Sequence, residues 1–132
     1  MPSCNQKPAE ESLGGIFFSV TNDCLLSIII IAYNEEEHLP RLLDSLRSQT
    51  WQDFELVVVD SKSNDRTREI ALSHQKHFGR FQLVELPAAK GPAFARNQGF
   101  LHAKSERLLF LDADVTLEPG FLAAAMDALR TS

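Results

Sequence analysis

Apolar and polar positions come in alternating blocks along this chain, and the blocks change period. LLSIIIIAY, residues 25–33, is a nearly continuous apolar run rich in β-branched residues, the pattern of a strand buried on both faces. Leu39, Leu42, Leu43 and Leu46 then recur at helical spacing, with Asn34 expected to cap that helix and Pro40 tolerable only in its first turn. FELVVVD at 54–60 repeats the buried-strand pattern. Asn64 or Asp65 is expected to open a second helix carrying Ile70, Ala71 and Phe78, with Gly79 ending it. FQLVEL at 81–86 is a more alternating strand that Pro87 terminates. A third helix is expected from about Ala93 to Ala103, then a fourth strand, ERLLFLD, at 106–112. Pro119 can start a last helix through FLAAAMDALR, whose alanines and leucines favour that conformation.

The order β-α-β-α-β-α-β-α predicts an α/β fold: a Rossmann-like, mostly parallel sheet with helices on both faces, joined by right-handed crossovers. Residues 1–15, polar, with two prolines and the pair Gly14-Gly15, read as a flexible leader to a domain spanning 16–132.

Length and charge narrow the possibilities. At 132 residues the chain is the size of one modest domain, and 44% hydrophobic with 23% charged residues is a globular composition. A net charge of -5 provides no basic footprint for nucleic acid. The apolar runs fall short of the roughly 20 residues that span a bilayer, and MPSCNQKPAEES is a poor secretory signal. The expected location is cytoplasmic, including a peripheral position at the inner face of the membrane. Cys4 and Cys24 form no C-x-x-C pair and read as reduced bystanders.

In open α/β sheets, ligands bind beyond the carboxyl ends of the strands. The first strand delivers Tyr33, Asn34 and Glu35 to that edge, the second Asp60, Ser61 and Ser63, and the fourth Asp112 and Asp114. Lys90 and Arg96 follow the third. No G-x-G-x-x-G and no G-x-x-x-x-G-K-[ST] is present, so the common dinucleotide and phosphate-loop fingerprints are missing. If the chain stays extended, Asp112 and Asp114 project to one side. Two carboxylate oxygens there suit Mg²⁺ or Mn²⁺, which complete their shells with water and substrate phosphates. Taken alone, the D-x-D is explained equally well by a strand end followed by a turn cap. His38, His74, His77 and His102 read as surface residues.

The segments SIIIIAYNEEEHLPRLLDSL, FELVVVDSKSNDRTREIA, KGPAFARNQGF and RLLFLDADV, in this order and spacing, resemble the first half of a family 2 glycosyltransferase. The resemblance runs from about Ser27 to Leu129. It implies the A-type glycosyltransferase fold of nucleotide-diphospho-sugar transferases, in truncated form, an inverting mechanism, a UDP- or GDP-type sugar donor and a divalent metal. It also implies that Ala32, Tyr33 and Glu35 line the nucleoside pocket, with Asp60 beside the base or ribose. Lys90, Arg96 and Asn97 would close over the donor. Asp112 would lie nearer the ribose and Asp114 nearer the metal.

Two departures stand out. Ser61 occupies a position where many members carry a second acid tied to base recognition, which leaves the donor base open. The family's acceptor site and general base lie after the D-x-D, in a half this chain is expected to lack. Glu118 and Asp127 follow the motif, but neither stands in a context that marks it as a base, so no catalytic residue is assigned. The expected function is transfer of a sugar to an acceptor hydroxyl, or the donor-binding half of such an enzyme. Its alternatives are a non-catalytic nucleotide-sugar-binding module or relic and, behind them, a sugar-phosphate nucleotidyltransferase. The last should show a glycine-rich basic loop where this chain has AYNEEEHLP. Apolar surface left by an absent half would point to a partner or a dimer.

Overall fold

In the computed structural model, residues 10–13, 16–19 and 26–131 are described. Cys4 and Cys24, and most of the expected leader, lie outside them. From the end of that leader, β1 (Glu10–Leu13) pairs antiparallel with β2 (Ile16–Ser19), which follows it, a short ribbon that the hydrophobic pattern did not reveal.

The main sheet contains β3 (Leu26–Ala32), β4 (Phe54–Asp60), β5 (Phe81–Glu85) and β6 (Leu108–Asp112) in the order β5-β4-β3-β6. All three pairings are parallel. The two most apolar strands occupy the centre. β4 is buried at all seven positions and β3 at six of seven, whereas the edge strands β5 and β6 are only partly covered.

Helices cover both faces, as the alternating pattern predicted. On one face, α1 (Leu39–Arg47), α2 (Thr67–His74) and α4 (Phe121–Thr131) pack Leu39, Leu42, Leu43, Leu46, Ala71, Leu122 and Met126 against Ile28, Ile30, Leu56 and Val58. On the other, α3 (Pro92–His102) sets Ala95 against Ile29, Val57 and Val59. Gly99 permits this approach, because a Cβ there would stand 2.4 Å from Ile29 Cγ2.

Three helix starts differ from expectation. Asn34 does not cap α1. That helix is preceded by His38, with no side-chain cap, and Asn34 sits in the left-handed region at φ 54°, which Asn tolerates better than most residues. Its amide is used elsewhere, accepting the Asn64 N–H at 2.7 Å. α2 begins at Thr67, later than Asn64 or Asp65 suggested, but Asp65 Oδ1 does accept the Thr67 N–H at 2.9 Å. Pro119 likewise precedes rather than begins α4. The Leu122 N–H of that helix is taken by Gln49 Oε1 at 3.0 Å, while Gln49 Nε2 donates to the Glu118 carbonyl at 2.7 Å.

At the amino end of the sheet, the buried Glu55 accepts from the Ser27 hydroxyl at 2.5 Å and from the Lys104 N–H. This carboxylate joins the segment between α3 and β6 to the two central strands. His74, expected at the surface, is in fact mostly covered. Its Nε2 lies 3.4 Å from Asp44 Oδ1 on α1, and its side chain is 17% exposed. No helix among the described residues is long and apolar enough to cross a membrane.

Candidate functional site

The strand order reverses at β3, whose neighbours β4 and β6 are reached by connections leaving in opposite directions. A crevice is expected beyond the carboxyl ends at such a point. A cavity of about 460 Å³ lies there. Ile31, Tyr33 and Glu35 line it from the end of β3, Ser61 from the end of β4, and Ala89, Gly91 and Pro92 from the entry to α3.

Tyr33 and Glu35 therefore stand where the sequence placed them. Tyr33 is 50% exposed, and an exposed aromatic residue in a cavity wall can stack on a planar ligand. Ala32 and Asp60 lie beneath the cavity instead of on its wall. They are register partners, and both are fully buried. The oxygens of Asp60 are already engaged: Oδ1 accepts from the Ser63 hydroxyl at 2.5 Å, and Oδ2 accepts from the Ser63 N–H at 3.1 Å. Arg68 Nε is 3.7 Å from the same carboxylate. A buried carboxylate needs such partners, and here they shape the turn that presents Ser61.

Lys90 is exposed next to Gly91, with Nζ 5.1 Å from the centre of the Phe94 ring. Gly91 has φ 93°, a conformation that side-chain-bearing residues avoid. Arg96 and Asn97 are exposed on α3 and do not line the cavity.

The D-x-D segment is not extended throughout. β6 ends at Asp112, and the Val115 N–H donates to the Asp112 carbonyl at 3.2 Å, so Ala113 and Asp114 occupy a turn. The expectation that simple strand alternation puts both carboxylates on one side does not hold. Asp112 and Asp114 are exposed, however, on either side of the buried Ala113, and neither carboxylate has a partner among the described residues. Asp112 is the register partner of Ile31. Parallel neighbours lie about 4.8 Å apart, so the motif begins one strand away from a wall of the cavity.

These carboxylates fit a hard divalent cation as partial ligands. Among the described residues no cluster of three or more potential metal ligands exists. A two-oxygen donor set suits an ion that takes its remaining ligands from water and phosphate.

Ser63 was placed at this edge by the sequence, whereas Ile31, Thr67, Ala89 and Pro92 were not singled out as site residues. The hydroxyls of SKSNDRT were the available signal for Ser63 and Thr67, and the K-G-P turn was the signal for the third wall.

Residues 27–132 match the family model described as glycosyl transferase family 2. The chain belongs to this family. It is 37% identical over 97 residues to a dolichyl-phosphate beta-glucosyltransferase of Trichomonas vaginalis, covering 67% of this chain and 30% of that protein. It is 36% identical over 92 residues to a poly(ribitol-phosphate) beta-glucosyltransferase of Bacillus spizizenii, covering 67% and 14%. Against S. aureus TarS 1-349 in complex with UDP-GlcNAc the TM-score is 0.77 at 30% identity, covering 81% of this chain and 31% of that one. Against the mannosyltransferase PcManGT of Pyrobaculum calidifontis, in complex with GDP-Man and Mn²⁺, it is 0.74 at 30% identity, covering 79% and 32%. This family 2 chain thus spans about a third or less of the length of these relatives and shares their A-type glycosyltransferase fold.

Proposed function

We propose that this family 2 chain binds a nucleotide-diphosphate sugar at the carboxyl edge of its sheet and serves in transfer of that sugar, with inversion, to an acceptor hydroxyl. The observation that carries the reading is the pairing of Ile31, a residue of the cavity wall, with the exposed and unpartnered Asp112. Tyr33 offers a stacking face for the base, and the small Ser61 leaves room at the cavity wall. Lys90 supplies positive charge near the diphosphate, and Arg96 and Asn97, exposed further along α3 and outside the cavity lining, are available to close over a bound donor.

Asp112 and Asp114 would hold Mg²⁺ or Mn²⁺, which when bound neutralises charge on the departing diphosphate. The part of the two carboxylates would be to fix the position of that cation at the carboxyl end of β6. An acceptor hydroxyl must also lose a proton to a base within hydrogen-bond reach, and that role is assigned to no described residue. The donor site is the part of the reaction we place on this chain.

The test is titration with UDP- and GDP-linked sugars, with and without Mn²⁺, while donor hydrolysis is followed. Metal-dependent binding that weakens about tenfold or more in Asp114→Ala, a change of about 1.4 kcal/mol or more, supports the site. Absence of binding, or binding that Asp114→Ala leaves untouched, would overturn it. Binding without turnover would mark the chain as a nucleotide-sugar-binding module.

A further inference from the structure

Beyond the last backbone bond of the β3–β4 ladder, from the Ser61 N–H to the Ala32 carbonyl at 3.0 Å, the segments that follow the two strands are joined by side chains. Three consecutive backbone N–H groups of the first loop are taken by the second. The Asn34 N–H donates to Ser63 Oγ at 2.9 Å, the Glu35 N–H to Thr67 Oγ1 at 2.8 Å and the Glu36 N–H to Asp65 Oδ2 at 3.2 Å. The two hydroxyls pass the chain of bonds on to carboxylates. Ser63 donates to Asp60 and Thr67 donates to Asp65, each at 2.5 Å.

Two parallel relays result, each running from N–H through hydroxyl to carboxylate. A hydroxyl can accept from the first group and donate to the last with a single oxygen and no charge. Ser63 is 2% exposed and Thr67 is fully buried, so water has little access to replace either. Linked bonds of this kind polarise and strengthen one another.

The segments that the relays join contribute to the cavity wall. Tyr33 and Glu35, from the first loop, and Ser61, from the second, line it. We propose that Ser63 and Thr67 are positioning residues: their hydroxyls latch the two loops together and so hold Tyr33 and Glu35 in register with Ser61 across the nucleotide-binding cavity. The consequence for binding rests on the function proposed above, whereas the latch itself does not.

The test compares Thr67→Val, which keeps the side-chain shape and removes the hydroxyl, with Thr67→Ser, which keeps the hydroxyl. Two readouts are needed: UDP and GDP affinity in Mn²⁺, and hydrogen exchange of the Asn34 and Glu35 amides without ligand. Thr67→Val is expected to weaken binding about tenfold and to accelerate exchange at Glu35, with Thr67→Ser close to the unmodified protein in both. Ser63→Ala should do the same at Asn34, and it carries the test if Thr67→Val does not fold. Unchanged affinity in Thr67→Val, unchanged exchange at Glu35, or an equal loss in Thr67→Ser would overturn the proposal. If the unmodified chain binds no nucleotide, the proposed function falls and the latch is judged on exchange alone: acceleration supports it and retained protection overturns it.

Discussion

Ile31 and Asp112 are direct partners across β3 and β6, so a wall of the cavity and the first aspartate of LDADV stand side by side. Asp112 has no side-chain partner among the described residues and is exposed. Asp112→Asn should therefore weaken Mn²⁺-dependent nucleotide binding about tenfold without lowering the melting temperature. Calorimetric titration beside a thermal melt checks both halves of this expectation.

Gly99 sits where α3 meets Ile29, and an added Cβ would overlap Ile29 Cγ2. Gly99→Ala should destabilise the fold by about 1–3 kcal/mol despite the better helix propensity of alanine, because overpacking outweighs that gain of about 1 kcal/mol. Urea denaturation would show the midpoint falling with little change in slope.

Glu55 gathers the Ser27 hydroxyl, the Lys104 N–H and, at 3.4 Å, Gln82 Nε2. Glu55→Gln puts an amide donor among donors. A loss of about 1–3 kcal/mol is expected from the groups left without an acceptor, measurable by the same denaturation.

Desolvation pushes the Asp65 carboxyl up, but the bonds it accepts from the Thr67 hydroxyl, the Thr67 N–H and the Glu36 N–H outweigh it, leaving the group below its ordinary 3.8. The unfolded chain then takes up the proton first. The stability Asp65 contributes is present above about pH 3.8 and is lost as pH falls from there through the folded value. Asp65→Ala should be less stable than the unmodified chain at pH 6, with the gap closing as pH falls below 3.8.

His77 acts in another window. Desolvation first, then Arg47, Lys76 and His74, disfavour its protonation, with Asp44 opposing them, so its folded value lies below 6.5. The unfolded chain binds this proton more tightly, and stability should rise as pH rises from the folded value to about 6.5. Removing the imidazole in His77→Gln should flatten that part of the profile, as read from denaturation midpoints.

Much of the fold was legible because period and composition report burial directly. IIII and VVV mark strands covered on both faces, and they became the two central strands. The leucines of α1 repeat every third or fourth residue, and all four are buried. The place of Tyr33 and Glu35 at the carboxyl edge of the sheet, where they line the cavity, was legible for a similar reason, since the end of a buried parallel strand faces the crevice. Asp60 shows where such reasoning stops. Its place at the end of β4 was legible, but its oxygens are turned to Ser63 and Arg68, a choice made by a loop whose path is not periodic.

What the sequence by itself determined, then, is the succession of strands and helices, the edge at which polar groups collect and the family. These follow from local pattern, which every residue expresses where it stands in the chain. The tertiary structure decided which groups meet: Ile31 with Asp112, Asn34 with Ser63, Glu35 with Thr67. It also bent the D-x-D into a turn and moved Asn34 from a helix cap to a link between loops. Contacts between residues about 30 or 80 positions apart depend on strand order and hydrogen-bond competition among loops, and no single stretch of sequence encodes either.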